Sequence, residues 1–282
     1  MWKRLIIGIL LSALLLSLAA CFSGESPSSP EAPAEHIVEP EKENNPDVTV
    51  EPASSNEETD DFNIATADLS PDWISSLEQA ETAQQLFVVA GIGETTAYIS
   101  MHEKDGNGIW HQVMTTPGYI GKYGLGKTKE GDAKTPVGTF EFNYAFGIAE
   151  DPGCAIEYHQ VDENDYWSGD QRDGYHYNEM VDIRDLPDLS KDDCEHIVDY
   201  TSEYQYCLNI SYNSEGTPGL GSAIFLHCLG RIKPYTGGCV AIPQDKMILV
   251  MKNVSKDCIV VIDSLRNLSP DTWNSMGLSP VA

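Results

Sequence analysis

The sequence predicts a mainly β fold with a few short helices, and three observations lead to that class. Short segments rich in Val, Ile, Phe and Tyr follow one another between Gln85 and Asp263. Clusters of Gly, Asn and Asp separate them, and only two longer stretches carry a helical apolar spacing. Many strands with few helices pack as a β-sandwich or barrel.

The first twenty residues read as a targeting segment. Lys3 and Arg4 give a charged start, and Leu5 to Ala20 is almost wholly apolar yet short for a membrane span. Leu18-Ala19-Ala20-Cys21 has the form of a bacterial lipobox, in which Cys21 takes the lipid and becomes the mature N-terminus. An ordinary signal peptide with an incidental cysteine is the alternative. Residues 1–20 are thus assigned to a lipoprotein signal peptide, and 21–80 to an acidic Pro/Ser-rich linker ending in a short helix. Residues 81–266 are assigned to the folded domain and 267–282 to a C-terminal tail. From Phe22 to Asp72 there are fourteen acids against one lysine, so this stretch buries too little apolar surface to offset ordering entropy. Like charges extend it into a tether; an acidic interaction tail is the other reading.

Trp73 to Ala282 is long enough for one domain with a sizeable core. It carries thirty acids and fourteen bases, which argues against nucleic acid and against charge-driven docking on anionic lipid. Pro71 to Ala83 suits a short helix with Trp73, Ile74 and Leu77 on one face, and Ser70-Pro71 suits its start. Strands are expected at Gln85–Ala90, Thr95–Lys104 and Ile109–Met114, with the turn Asp105-Gly-Asn-Gly108 joining the last two. Further strands are expected at Val137–Tyr144, Gln205–Tyr212, Ser222–His227 and Cys258–Asp263. Ser190–Tyr200, with a capping serine and acids in its first turn, and Gln244–Val254 are expected helices.

One stretch concentrates the chemistry. The run Ser222-Ala-Ile-Phe-Leu-His227 carries a histidine out of a strand. A loop of eleven residues then returns through Tyr235-Thr236-Gly237-Gly238 to Cys239 and a second apolar run. A free thiol has a pKa of about 8.5 and needs a base beside it to act as a nucleophile at neutral pH. His227 is the candidate base and Cys239 the candidate nucleophile. The backbone N–H groups of Gly238 and Cys239 are candidate oxyanion donors, since a glycine lets a carbonyl approach closely.

These residues resemble the YkuD L,D-transpeptidases of peptidoglycan. That family has an upstream His and then Ser/Thr-x-Gly-Cys, here His227 and Thr236-Gly237-Gly238-Cys239. The segment Gly131-Asp132-Ala133-Lys134-Thr135-Pro136-Val137-Gly138 resembles the family's Gly-Asp-x-Lys-Thr-Pro-x-Gly. The resemblance implies a mainly β, YkuD-like sandwich or barrel. It also implies a cysteine acyltransferase that forms a thioester with a stem tetrapeptide, expels D-Ala and makes a 3→3 cross-link. Thr236, Gly237, Tyr235 and Arg231 are then expected to contact substrate. The expected partners are peptidoglycan stem peptides and, through Cys21, the extracytoplasmic face of the membrane; no cofactor, nucleotide or nucleic acid is called for. Two other readings use the same residues: an L,D-carboxypeptidase, in which water resolves the thioester, and a non-catalytic wall-binding lipoprotein. Many members have His where Gly237 stands, Arg where Ala241 stands, and a small or hydroxylated residue where Cys228 stands, which marks a divergent branch.

Other signals are weaker. Gly121-Lys-Tyr-Gly-Leu-Gly126-Lys127-Thr128 fits a phosphate-loop pattern, but Gly131, Pro136 and Gly138 forbid the helix that pattern requires. Asp162 to Asp170 lacks the sixth-position glycine of a calcium hand. Zinc is a competitor for His227, Cys228 and Cys239, with Cys194 and His196, though no ligand-pair spacing is present. Seven cysteines leave the disulfide pairing open, a silencing Cys228–Cys239 bond included. Tyr158, Tyr166, Trp167, Tyr175 and Tyr177 either line a groove or pack inward.

Overall fold

The structure, a computed structural model, describes residues 62–277 apart from Ile232. The expected signal segment, Cys21 and most of the linker lie outside the described residues. The described chain starts along a sheet edge: the Ser70 N–H donates to Trp110 O (2.9 Å) and the Gln112 N–H to Asp68 O (2.8 Å). Helix α1 (Asp72–Ser75) and a 3-10 turn (Glu78–Glu81) follow. The single helix expected over 71–83 is therefore two pieces. Leu77 between them is extended, with ψ 139°, and that bend lets Ile74, Leu77 and Ala80 all enter one apolar layer.

Strand β1 (Gln85–Gly91) is buried at every position. Phe87 and Val89 face the main core, and Leu86, Val88 and Ala90 face Ile74, Leu77 and Trp273. A strand covered on both faces needs no polar alternation. β2 (Thr96–Lys104) and β3 (Trp110–Tyr119) form the expected hairpin. Its turn is held by Asp105 Oδ1, which accepts from the N–H groups of Asn107 (2.9 Å) and Ile109 (2.8 Å), with Gly108 at φ +83°. β3 runs on beyond the expected Met114 to Tyr119.

β4 (Gly138–Gly147) serves two partners. Gly138–Glu141 pairs with β12, and beyond an irregularity between Phe142 and Tyr144 the rest pairs with β9. Between β4 and β9 lies an excursion carrying β5 (Tyr158–Gln160), β6 (Asp165–Trp167), β7 (Met180–Asp182) and β8 (Glu195–His196). The last three form a separate small sheet, ordered β7-β6-β8. β9 (Cys207–Ile210), β10 (Phe225–Cys228), β11 (Val240–Ile242), helix α2 (Gln244–Asn253) and β12 (Ile259–Ser264) complete the main sheet and its packing. The main sheet runs β12-β1-β2-β3-β11-β10-β9-β4-β5, and the β12–β4 pairing closes it into a barrel with β5 outside the ring. The mainly β class read from the sequence is the class observed.

The Ser190–Tyr200 helix is not formed. Lys191–Asp193 and Ile197–Asp199 are single 3-10 turns, and between them Glu195–His196 pairs with Tyr166–Trp167 as an edge strand. The Ser190 hydroxyl donates to Asp193 Oδ2 (2.6 Å) rather than capping a backbone N–H, and the His196 ring stacks on Tyr166 at 4.4 Å. Pairing and ring stacking outweigh a local helix preference of a few tenths of a kcal/mol per residue.

Packing passes both ends of the 81–266 span. Ile74 and Leu77 are buried before it, and α3 (Leu265–Leu268) and α4 (Pro270–Ser275) bury Leu265 and Trp273 after it. The apolar interior of the barrel is filled by inward residues of its strands and sealed by Met247, Val250 and Met251 of α2. Phe87 is fully buried there and meets Phe142 edge to face at 5.2 Å. Phe87→Ala is expected to lower unfolding stability by about 3–5 kcal/mol, read from the urea midpoint at unchanged slope.

Candidate active site

The parallel pairing of β10 with β11 positions the site. His227 is in register with Ala241 and Leu226 with Val240, so Cys239 enters β11 beside Phe225. The Phe225 N–H donates to Cys239 Sγ at 3.3 Å, and the thiol donates to Ala223 O at 3.1 Å. Phe225 and His227 lie two residues apart and share a strand face. Leu226 and Cys228 point the other way, into the barrel core. The alternation that buries Leu226 and Cys228 thus places His227 on the other face, where it lines the same cavity as Cys239.

A covering layer supplies the other wall. Trp167, Tyr204 and Ile197 from the excursion pack on Phe146, Phe225 and Cys239. Asn178 fixes that layer: its Oδ1 accepts from Trp167 Nε1 (3.0 Å) and from the Ala223 N–H (3.0 Å). The Tyr177 hydroxyl (2.5 Å) and the Ser222 hydroxyl (2.8 Å) both donate to Glu130 Oε2. Between barrel and cover is a cavity of about 610 Å³ lined by residues that include His227, Cys239, Tyr235, Thr236 and Gly237. Of the aromatics in the excursion, Tyr166, Trp167 and Tyr177 are buried, and Trp167 also lines the cavity.

His227 Nδ1 lies 2.7 Å from Cys228 O. A carbonyl only accepts, so Nδ1 carries the proton and Nε2 is left as the basic nitrogen. Burial lowers the His227 pKa, against the Cys228 carbonyl and the Glu203 charge, which raise it. Burial pushes the Cys239 thiol up to about 12, and the Glu195 charge adds to this, opposed by the Phe225 N–H and Lys127. The two resting groups of the cavity are therefore a neutral thiol and a neutral imidazole at pH 7. The Tyr204 ring meets His227 edge-on at 5.4 Å, and its hydroxyl donates to Glu195 Oε2 at 2.6 Å.

The loop before the cysteine is held from inside and from below. The Thr236 hydroxyl donates to Cys239 O (2.7 Å) and accepts from the Gly238 N–H (3.1 Å). The Thr236 backbone bonds to Ile120 O (2.9 Å) and to the Lys122 N–H (3.0 Å). Fully buried Thr135 donates its hydroxyl to Gly238 O (2.7 Å) and accepts from the Gly121 N–H (2.9 Å). Gly238 has φ +144°, and a Cβ there would meet Lys134 O at 2.8 Å, so only glycine fits. Gly237 has open space around its missing side chain.

These contacts revise the expected roles. The Gly238 N–H is taken by Thr236, so of the two expected oxyanion donors Cys239 alone has a backbone N–H without that commitment. Thr236 acts as a clamp within the loop. Arg231 is exposed and outside the cavity lining, where Lys233 stands instead. Thr135 and Glu195 were missed in the sequence. Thr135 was visible as part of a recognisable segment, whereas Glu195 sat inside a stretch read as helix.

The six cysteines from Cys154 to Cys258 are free thiols, and Cys228 and Cys239 face different clusters, so no bond joins them. Among the described residues no group of three His, Cys, Asp or Glu side chains is placed to hold a metal ion. Gly121 to Thr128 is irregular loop with Gly124 and Gly126 at positive φ, the wrong context for a phosphate loop. Its Lys127 bonds Asp132 (3.2 Å), whose carboxylate also accepts from the N–H groups of Thr128, Lys129 and Lys134.

Residues 94–262 of the 282 match the YkuD family, the L,D-transpeptidase catalytic domain. Curated proteins give no match. Among solved structures, that of the Ldtfm–avibactam carbamoyl enzyme aligns at 12% identity and TM-score 0.31, over 64% of this chain and 49% of that one. The chain thus spans about half the length of that protein.

Burial raises the Glu195 pKa from 4.5 to about 7, with the Glu130 charge adding and the Tyr204 hydroxyl opposing. The folded state therefore holds this proton more tightly than the unfolded chain. The stability it contributes is full below about pH 4.5 and is lost as pH rises through about 7. Between pH 5 and pH 8, Glu195→Gln is expected to remove on the order of 1–2 kcal/mol of the fall in stability, a value reduced for cavity solvent. Thermal unfolding of both proteins across that range reads it out.

Proposed function

The chain belongs to the YkuD family of L,D-transpeptidase catalytic domains, and on that premise we propose that it cross-links peptidoglycan stem peptides through a thioester on Cys239. The observation that carries this reading is the placement of Cys239 against Phe225, on the strand face that His227 shares, within one cavity.

The chemistry follows from the two neutral groups. When the donor stem fills the cavity, Nε2 of His227 takes the Cys239 proton, and the sulfur attacks the carbonyl of the diamino acid before the terminal D-Ala. The Phe225 N–H already points at the sulfur and favours its thiolate. The Cys239 N–H faces the developing oxyanion; one such donor is worth roughly a hundredfold or more in rate. The imidazolium gives its proton to the leaving D-Ala amine, and an amine from a second stem resolves the thioester into a 3→3 cross-link. Gly237 leaves space where many members carry His, which supports a divergent branch with a wider cavity mouth. Lys233 and Lys127 are the cavity cations in place of the arginine replaced by Ala241.

We also place the protein at the extracytoplasmic face of the membrane. The support is the apolar N-terminal segment ending in Leu-Ala-Ala-Cys21 and the acidic stretch after it. Cys21→Ser is expected to move the protein from the membrane fraction to the soluble fraction, followed by immunoblot of the separated fractions. Retention of the variant in the membrane would contradict the anchor.

Incubation with a disaccharide tetrapeptide is expected to give a 3→3 cross-linked dimer and free D-Ala, resolved by chromatography and mass spectrometry. Cys239→Ala is expected to give neither product, and His227→Asn to slow the reaction by about a hundredfold or more. D-Ala release without dimer would assign hydrolysis instead. Binding to cell-wall material with no product from the unsubstituted protein would assign a wall-binding role.

A further inference from the structure

We propose that Glu195 receives the acceptor: its carboxylate binds the primary ammonium of the incoming stem and removes one proton before the amine attacks the thioester. This assignment rests on the acyl-transfer reading above and adds a residue to it.

The geometry comes first. Glu195 sits on β8, the edge strand of the covering sheet, and lines the same cavity as Cys239 and His227. Its Oε2 accepts the Tyr204 hydroxyl at 2.6 Å, and the Tyr204 ring rests edge-on against His227 at 5.4 Å. The carboxylate is therefore fixed relative to the imidazole through one rigid side chain. Glu195 is half-buried, and its other oxygen, Oε1, is bonded to no side chain or backbone group among the described residues and is open to the cavity. A carboxylate held by one oxygen with the other free is arranged to take a hydrogen-bond donor.

The charges around it select the donor. Glu130, Asp193, Glu195 and Glu203 line the cavity against Lys127 and Lys233, and Lys127 is already paired with Asp132. Tyr200 and Tyr204 complete the wall near Glu195, and the Cys239 and Cys207 thiols lie within its field. Among the described residues no lysine or arginine bonds Glu195, so the charge that would complement it is one that a substrate brings. A cation fits there; a second carboxylate does not.

The reaction needs such a group. A primary alkylammonium titrates near 10, so only about one molecule in a thousand is a free amine at neutral pH. Glu195 takes one proton from the ammonium, giving an amine and a carboxylic acid. The amine nitrogen bonds to the thioester carbon, the C–S bond breaks, and its electron pair returns to sulfur. The second nitrogen proton passes to His227 Nε2 and from there to the Cys239 sulfur, restoring thiol and imidazole. Burial, which holds the Glu195 pKa at about 7, matches this base to neutral pH.

The test separates the two half-reactions. The protein is acylated with a stem tetrapeptide, and adduct formation is followed by intact mass. The adduct is then resolved with a primary alkylamine or with hydroxylamine, which is already unprotonated at neutral pH and needs no base. In Glu195→Gln the alkylamine reaction is expected to fall at least tenfold relative to the hydroxylamine reaction, and Glu195→Asp to recover part of the loss. With Glu195 in place the alkylamine rate is expected to level off above about pH 7, whereas in Glu195→Gln it is expected to keep climbing with the free-amine fraction through that range. An equal loss with both nucleophiles, or no loss with either, overturns the assignment and leaves Glu195 as a packing residue. Absence of any adduct on the unsubstituted protein refutes the thioester reading, and this assignment falls with it.

Discussion

Two short strands that run in the same direction decide where the chemistry can happen. β10 and β11 are parallel neighbours, so the chain must leave the end of one and return to the start of the other. The chain from Leu229 to Cys239 makes that return, and threonine hydroxyls hold its backbone at Gly238 and Cys239. Thr135 grips Gly238 O and Thr236 grips Cys239 O. Leaving such a buried carbonyl without a partner would cost about 1–3 kcal/mol. These bonds fix where Cys239 begins β11, and the parallel register fixes what it faces. The two strands sit between β3 and β9 in a sheet that the β4–β12 pairing closes.

The same burial that shapes the site sets its resting charge state. A thiol pushed up to about 12 and an imidazole pushed down are both neutral in the free protein. In the proposed reaction, proton transfer between them is coupled to substrate entry, which displaces water and brings new hydrogen-bond donors and charges. Glu195 belongs to this balance, since its charge opposes a thiolate at Cys239. A carboxyl that titrates near neutrality can be uncharged while the thiolate forms and charged when a cation arrives. The excursion between β4 and β9 is thus a working wall of the cavity rather than ornament on the barrel.

Much of the barrel was legible because its strands obey simple patterns. Gln85–Ala90 reads as a buried strand, and Asp105-Gly-Asn-Gly108 reads as a turn with a mechanism. His227 and Cys239 were singled out because two motifs stand in a fixed order, and both line one cavity. What was not legible depended on residues distant in sequence. Ser190–Tyr200 carries the local marks of a helix, and only pairing with Tyr166 and Trp167 makes its Glu195–His196 part an edge strand. The Gly238 N–H looked available until the Thr236 hydroxyl was found on it. Glu195 and Tyr204 carry no spacing relative to His227 that a sequence could reveal, because β8 and β10 meet only through the folded cover. Arg231 was expected to contact substrate from its place in the loop, yet it is exposed and outside the cavity lining.

The account turns on a covalent bond to one sulfur. The most direct measurement is peptide mapping by tandem mass spectrometry after brief exposure of the reduced protein to a stem tetrapeptide and acid quenching. The account predicts an acyl group, equal in mass to the stem less its terminal D-Ala, on the peptide that contains Cys239 and on none containing Cys207 or Cys228. An adduct on another residue, or D-Ala release with Cys239 unmodified at every quench time, would contradict it.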